Sequence, residues 1–204
     1  MARTPPTPQP KLSRDVIVEA AIALVETEGL DALSMRRVAA HLDRAPMSLY
    51  RHVRNRDDLL TAMLDTAASR IETPDRHADP REEVVAIMVA LHRRLRAEPW
   101  LVQLLLFEGR FSAHIFPLIE RVFAALDTLL GDVGNVVDVY AILQHYLYGE
   151  CLSYQTRAQR LAFQNALPHD TWAAYPVTAR VFNATRDHAF DEFERNVRRV
   201  LDTT

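Results

Sequence analysis

The chain has few of the features on which disulfide-bonded, membrane-spanning and secreted proteins depend. Its 204 residues include one cysteine, Cys151, which excludes an intrachain disulfide and, in apolar surroundings, is predicted to be a buried structural thiol. No apolar run reaches the roughly 18 residues of a membrane-spanning helix. The proline-rich N-terminal stretch MARTPPTPQPK lacks the apolar core of a secretory signal. We therefore expect a cytoplasmic protein without a membrane segment.

Sequence motifs of catalysis and metal binding are also missing. The chain has no GxGxxG or GxxxxGK[ST] phosphate-binding loop, no GxSxG nucleophile elbow and no HExxH metal motif, and its eight histidines are scattered. His145 and Glu150 are the nearest approach to a metal or catalytic pair, but their spacing does not place them on one helical face. We expect no catalytic residue, no metal site and no cofactor.

Apolar residues recur at helical spacing along the chain, and no stretch alternates as a half-buried strand does. Ser13, Ser34 and Asn55 each precede an apolar helical segment as N-cap residues do, and Asp79-Pro80 combines an N-cap with a proline at the first helical position. The sequence predicts an all-α fold. A flexible proline-rich arm is expected over residues 1–12, a three-helix domain over 13–72 and a larger helical domain over 73–204.

Residues 38–60, VAAHLDRAPMSLYRHVRNRDDLL, predict a short helix, a tight break, a second short helix and the start of a third. That order is typical of a DNA-binding helix-turn-helix. Met47 and Leu49 are predicted to face inward from the second helix, which leaves Tyr50 facing out. Residues 34–56 carry six arginines and one acid in a chain of net charge −3, as expected where phosphates dock. The alternative is a charged face that is merely solvated.

Residues 42–53, LDRAPMSLYRHV, followed by NRDDLL at 55–60, closely resemble the DNA-binding segment of the TetR family of one-component transcriptional repressors. The resemblance covers about residues 13–72. It implies a homodimer whose N-terminal domain binds a palindromic operator in double-stranded DNA, and whose C-terminal helical domain binds a small-molecule effector and dimerises. Asp43 stands where the family usually has glycine, but aspartate tolerates the left-handed conformation better than most residues. Arg44 replaces a small apolar residue and is expected to face solvent or phosphate.

The DNA-binding residues are assigned from this resemblance and from the charge pattern. The second short helix is expected to approach the bases, and arginines in the first turns of the neighbouring helices to lie near phosphates. The assigned residues are Arg36, Arg44, Pro46, Met47, Ser48, Tyr50, Arg51, His52 and Arg56.

Two helices near the C-terminus are predicted to form the dimer interface. Residues 135–160 are apolar around nearly the whole helical circumference, so this helix must be covered on more than one side. Residues 176–201 form the predicted last helix, with Phe193 and Val197 among its apolar positions. The resemblance implies the same arrangement, since proteins of this family dimerise through their last two long helices.

Aromatic and polar side chains are mixed over residues 100–148 as they are in small-molecule cavities. Each aromatic alone is better explained by core packing, but the resemblance implies an effector site here. The residues assigned to an internal cavity are Trp100, Phe107, Phe111, His114, Gln144, His145 and Tyr148. Two alternatives remain beside a ligand-released repressor: a DNA-binding factor without a small-molecule ligand, and an all-α enzyme with an accidental motif.

Overall fold

The computed structural model describes residues 11–168, 172–187 and 192–203, and within these ranges it contains helices and no strand. The predicted all-α fold is confirmed. None of the described helices is both long and apolar enough to cross a membrane. The helices are α1 (Arg14–Glu28), α2 (Met35–His41), α3 (Pro46–Leu49), α4 (Arg56–Ser69), α5 (Pro80–Ala97), α6 (Pro99–Leu106), α7 (Phe116–Leu130), α8 (Val133–Gln155), α9 (Arg157–Ala166), α10 (Pro176–Asp187) and α11 (Phe193–Asp202).

The described chain divides into two compact units that are not continuous in sequence. Unit 1 comprises the described residues through Arg70 together with Gln103–Ile115, and unit 2 comprises Ile71–Val102 together with the described residues from Phe116 onward. The first boundary lies near the one predicted at residue 72. The sequence did not indicate that residues 103–115 belong with unit 1, because nothing in their composition sets them apart from their neighbours.

Unit 1 is organised around α1, which packs against α2 and α4. Ile17 on α1 and Leu59 and Met63 on α4 are completely buried. Each such side chain contributes about 1.5–3 kcal/mol when it leaves water. The short helix α3 joins the unit through Leu49, and Val53 follows it into the interior, since both are fully buried. These anchors fix the position of a helix that is too short to be stable by itself.

Helices α1, α2 and α4 begin at the predicted capping residues. In each case the side-chain oxygen of the cap accepts a backbone N–H from the first turn, which satisfies a donor that has no partner within the helix. The bonds are Ser13 to Val16 at 3.3 Å, Ser34 to Arg37 at 3.3 Å and Asn55 to Asp58 at 2.8 Å.

Unit 2 is organised around α5, which packs against α7, α8 and α11. The helix begins at Pro80 as predicted, and the Asp79 side chain accepts the Arg81 N–H at 2.8 Å. Cys151 on α8 is buried as predicted, and burial raises the pKa of its thiol to about 11. The thiol therefore stays protonated and unreactive at neutral pH.

A buried ion pair connects α5 and α7. Arg121 Nε donates to Glu83 Oε1 at 2.6 Å, and both side chains are almost fully buried. Arg121 also donates to the backbone carbonyls of Pro74 and Asp75, at 3.0 and 3.1 Å. Hydrogen bonding to Arg121 lowers the pKa of Glu83 and outweighs the effect of burial. One guanidinium thus joins two helices and the segment that precedes α5.

The 3-10 turn Ala113–Ile115 precedes α7, which begins at Phe116. Two predicted helices end or begin elsewhere. The helix predicted over 135–160 ends at Gln155, and Thr156 separates it from α9. The described part of the helix predicted over 176–201 forms α10 and α11 as separate helices. Apolar periodicity continued across both breaks, so it could not reveal them.

The C-terminal part of the predicted last helix, α11, is not available as a dimer surface. Phe193 is 2% exposed within its own chain, and Val197 is fully buried there. The Phe193 ring is sandwiched between His92 of α5, at 4.0 Å between ring centroids, and Tyr146 of α8, at 5.2 Å. The assignment of α11 to the interface was wrong because its apolar stripe packs against α5 and α8 of the same protomer.

Candidate nucleic-acid interface

The turn between α2 and α3 has the geometry that the sequence predicted. Asp43 has φ 53°, the left-handed conformation that is usually reserved for glycine. The backbone N–H of Asp43 donates to Ala40 O at 3.1 Å, and that of Arg44 donates to Ala39 O at 2.9 Å. This pair of bonds is a Schellman motif, which ends α2 and turns the chain sharply into α3.

Helix α3 presents its side chains in two directions. Ser48 Oγ donates to the Ala45 carbonyl at 2.6 Å, which closes the first turn, while Leu49 points into the core. Met47 is 74% exposed and Tyr50 is 44% exposed. The inward orientation predicted for Met47 was therefore wrong, because a four-residue helix needs only one buried anchor. Pro46, Met47 and Tyr50 instead form an exposed apolar face.

Exposed basic side chains flank this face. Arg36 on α2, together with Arg51 and His52 after α3, is exposed, and neither Arg36 nor Arg51 makes an ion pair with any described residue. Arg44 is half-buried. Arg37, by contrast, pairs with Glu28. The charges of Arg36 and Arg51 are thus not neutralised within the described parts of the protein, a condition that favours phosphate binding.

Arg56 differs from the other predicted DNA-binding residues in its contacts. Its Nε donates to the Leu33 carbonyl at 3.4 Å, and its Nη1 lies 3.7 Å from Glu108 Oε1. Both contacts are within unit 1. They hold the first turn of α4 against the segment before α2, so Arg56 has a structural role whether or not it also reaches a phosphate.

Asp58 braces the end of the helix-turn-helix. Its carboxylate accepts two hydrogen bonds from the Arg14 guanidinium, at 2.8 and 3.0 Å, and the backbone N–H of Arg54 at 2.9 Å. These bonds, led by the one from Arg14, hold the pKa of Asp58 well below its usual range. Arg14 also donates to the His52 carbonyl at 3.1 Å. The residues just after α3 are therefore fixed to α1 and α4.

The segment 103–115 supplies a second brace that the sequence did not predict. Arg110 Nη2 donates to Asp57 Oδ1 at 2.7 Å, and Ser112 Oγ donates to Asp65 Oδ1 at 2.6 Å. Both acceptors are on α4. An arginine and a serine in a loop give no periodic signal, so only the folded chain reveals that they contact a helix about fifty residues earlier in the sequence.

The seven residues assigned to a ligand cavity are divided between the two units. Phe107, Phe111 and His114 belong to unit 1 and are exposed, because α6 ends at Leu106 and these residues follow it. His145 in unit 2 is exposed as well. The prediction that all seven line an interior was wrong for these four. Trp100, Gln144 and Tyr148 lie in unit 2 and are buried or half-buried.

These three residues carry polar groups on side chains that are buried or half-buried in unit 2. Gln144 Nε2 donates to the Tyr148 hydroxyl at 3.4 Å, and burial raises the pKa of that phenol. Trp100 is 4% exposed, and its indole Nε1 has no hydrogen-bond partner among the residues that the structure describes. A buried donor without an acceptor costs about 1–3 kcal/mol, so it is an unusual feature of a packed core.

Comparison with known sequences points to one family. Residues 17–63 match the sequence profile described as "Bacterial regulatory proteins, tetR family". The HTH-type transcriptional repressor DrrR1 of Streptomyces coeruleorubidus is 31% identical, over 96% of this chain and 78% of that protein. An HTH-type transcriptional regulator of Saccharopolyspora erythraea is also 31% identical, over 69% of this chain and 60% of its own length.

Solved structures with the same fold include a ligand complex and a DNA complex. Streptomyces coelicolor ActR in complex with actinorhodin superposes with a TM-score of 0.74 at 25% identity, over 95% of this chain and 97% of that one. BioQ bound to its double-stranded DNA operator superposes with a TM-score of 0.62 at 26% identity, over 76% of this chain and 95% of that one. Each of these proteins is a relative whose ligand is known from its own structure.

Proposed function

The chain belongs to the TetR family of bacterial regulatory proteins, and from that premise we propose that it is a transcriptional repressor whose homodimer binds a palindromic operator and releases it when a small molecule binds. The operator complex of BioQ and the actinorhodin complex of ActR support the two halves of this proposal by analogy.

The exposed face of α3 carries the DNA-binding part of the proposal. Met47 and Tyr50 are large side chains held in solvent by a rigid element, and a soluble protein rarely leaves such side chains exposed on a braced surface without use. Arg36 and Arg51 lie on the flanks without an ion-pair partner among the described residues. Met47 and Tyr50 would make apolar contacts with thymine methyl groups. Arg36 and Arg51 would make salt-dependent contacts with phosphates.

We assign the roles of the predicted residues accordingly. Tyr50, Ser48, Met47 and Pro46 approach the base pairs, while Arg36, Arg44, Arg51 and His52 contact phosphates. The contacts of Arg56 with Leu33 and Glu108 make it a positioning residue first. Two such faces in a twofold dimer would bind half-sites about one helical turn apart.

Operator selection from a pool of random DNA duplexes tests this proposal. The pool should yield a palindromic sequence, and Tyr50→Ala should weaken its binding by about 10- to 100-fold, the effect of losing about 1–3 kcal/mol of base contact. Tyr154→Ala is the matched control, because Tyr154 is also 44% exposed but lies in unit 2. Gel shifts at one fixed salt concentration measure both. Failure to select any sequence would contradict the function, and an unaffected Tyr50→Ala would contradict the assigned face.

The effector part of the proposal rests on unit 2. Trp100, Gln144 and Tyr148 provide indole, amide and phenol groups, and the buried indole N–H has no acceptor in the described parts of the chain. A planar aromatic ligand with carbonyl or phenol oxygens would supply that acceptor and stack on the rings. Binding would weaken operator affinity through a coupling of about 1–3 kcal/mol, and operator would weaken ligand binding equally.

Tryptophan fluorescence measures this binding directly. The chain has two tryptophans, so Trp172→Phe leaves Trp100 as the only reporter. Actinorhodin is the first compound to test, since ActR binds it. Quenching of Trp100 with loss of operator binding is expected, and Trp100→Phe should weaken the ligand about 5- to 10-fold while operator binding without ligand stays unchanged. If no compound that binds alters operator affinity, a DNA-binding factor without a small-molecule effector is the better description.

A further inference from the structure

Glu108 places a carboxylate beside the helix-turn-helix, although the two are far apart in sequence. The residue follows α6 and belongs to the stretch Gln103–Ile115, which is part of unit 1. Its Oε1 lies 3.7 Å from Nη1 of Arg56, and its Oε2 accepts a hydrogen bond from Nε of Arg110 at 2.8 Å. One carboxylate therefore contacts two guanidinium groups, each through a different oxygen.

The two contacts of Glu108 differ in how firmly they hold the arginine. Arg110 donates to Glu108 and also to Asp57 Oδ1 at 2.7 Å, so its guanidinium is bonded to two carboxylates. Arg56 approaches Glu108 only to 3.7 Å, which is longer than a hydrogen bond, and its bond to the Leu33 carbonyl is long at 3.4 Å. Arg110 thus fixes the carboxylate in place, while Arg56 is held to it by charge alone.

The position of Arg56 also suits it to a DNA phosphate. It is the first residue of α4, and the N-terminal end of a helix attracts anions through its free N–H groups and its dipole. Its side chain is 42% exposed, so the guanidinium is accessible from solvent. Guanidinium groups bind carboxylates and phosphates with the same geometry. Glu108 and a phosphate would therefore compete for one cation.

We propose that Glu108 is an electrostatic competitor of DNA: it pairs with Arg56 in the free protein, and Arg56 exchanges this carboxylate for a backbone phosphate when DNA binds. The inference rests on the DNA-binding part of the proposed function and adds a residue outside the helix-turn-helix that lowers its affinity. Phosphate contacts carry no sequence information. Glu108 therefore sets the strength of DNA binding and leaves its sequence preference unchanged.

The first test removes the charge of Glu108 and keeps its shape. In Glu108→Gln the amide oxygen still accepts the N–H of Arg110, so the loop stays braced, but the pairing with Arg56 is lost. Affinity for the selected operator should rise about 2- to 5-fold, the factor that corresponds to an exposed ion pair. Affinity for a duplex of unrelated sequence should rise by the same factor. Gel shifts at one fixed, low salt concentration measure both.

Glu19→Gln is the matched control. Glu19 pairs with Arg70 within unit 1, and the Arg70 side chain is as exposed as that of Arg56, but Arg70 lies at the opposite end of α4. The control removes the same charge from the same unit and should leave the affinity for DNA unchanged. Circular dichroism verifies that both variants fold. A Glu108→Gln protein that binds DNA no more tightly than the control would overturn the proposal.

The second test asks whether Glu108 acts through Arg56. Arg56→Gln should weaken DNA binding, and adding Glu108→Gln to it should bring little further change, since no guanidinium remains to compete for. An equal gain from Glu108→Gln in both backgrounds would show direct repulsion of DNA and overturn the exchange. The gain in the wild-type background should also shrink as the salt concentration rises, because salt screens exposed charges. A gain that persists at high salt would show a conformational effect and overturn it too.

The outcomes separate this inference from the proposed function. A protein that selects a palindromic operator but binds it equally well with and without the Glu108 charge overturns the inference and leaves the repressor proposal standing. A protein that binds neither a selected operator nor unrelated duplex DNA overturns both.

Discussion

Single side chains decide how sharply the chain turns between α2 and α3. The predicted left-handed conformation of Asp43 is confirmed, since aspartate is one of the few residues that adopt it at modest cost. The orientation of Met47 was not predictable, because α3 has four residues and its periodicity does not define a face. Only Leu49 needs to be buried, and the geometry of the turn leaves Met47 exposed.

Replacing Asp43 tests how much strain the turn holds. Asp43→Gly should raise the free energy of unfolding by about 0.5–1 kcal/mol, because glycine adopts φ 53° without steric penalty. Asp43→Val should lower it by more than 1 kcal/mol, on the order of the cost of a β-branched residue at positive φ. Urea unfolding followed by circular dichroism compares the two variants with the wild type. Equal stability of all three would show that this turn tolerates any side chain.

Asp58 gives a prediction about pH. Its pKa is lowered in the folded protein, so its stabilising contribution is present above the ordinary carboxyl pKa of about 3.9 and is lost as the pH falls through the lower folded value. Asp58→Asn should cost about 1–3 kcal/mol at pH 7, and the difference from wild type should shrink below pH 4. Arg14→Met removes the strongest partner and should show the same convergence. A difference that is constant from pH 7 to pH 3 would contradict this linkage.

At the scale of helices, capping residues predicted the helix boundaries better than the apolar pattern did. Ser13, Ser34, Asn55 and Asp79 begin helices as predicted because each meets a local requirement for a backbone acceptor. The break at Thr156 was missed because it interrupts a continuous apolar pattern and carries no glycine or proline. The separation of α11 from α10, and its burial inside the protomer, depend on tertiary packing that periodicity does not report.

The buried pair of α5 and α7 allows a double-mutant test. Arg121→Met or Glu83→Gln alone should lower the free energy of unfolding by about 3–5 kcal/mol, because each leaves a buried charge unpaired. The double variant should recover much of that loss. Its recovery will be incomplete, since Arg121 also bonds the carbonyls of Pro74 and Asp75. Additive losses in a urea-unfolding cycle would mean that the two side chains act independently.

Over the whole molecule, the sequence predicted structure formed within one continuous stretch of chain, but it did not predict which distant residues pack together. The helix-turn-helix lies within one continuous stretch, so its pattern was readable in residues 38–60. The ligand-site prediction drew on residues that the fold assigns to different units, and Phe107 and His114 are exposed in unit 1 for that reason. Amino-acid composition indicates which side chains suit a cavity, but only long-range packing decides which of them meet.

Unit 1 is built from two separate stretches of the chain, and this affects how it forms during synthesis. Helices α1 to α4 leave the ribosome before the segment 103–115, so Asp57 and Asp65 obtain these partners only when Arg110 and Ser112 have also emerged. Between these events the ribosome must translate residues 71–102, which belong to the other unit. The nascent DNA-binding region therefore forms its last contacts only after residues 71–102, which belong to unit 2, have been synthesised. A gene fragment that stops at residue 72 encodes every helix of the helix-turn-helix but not the loop that braces α4.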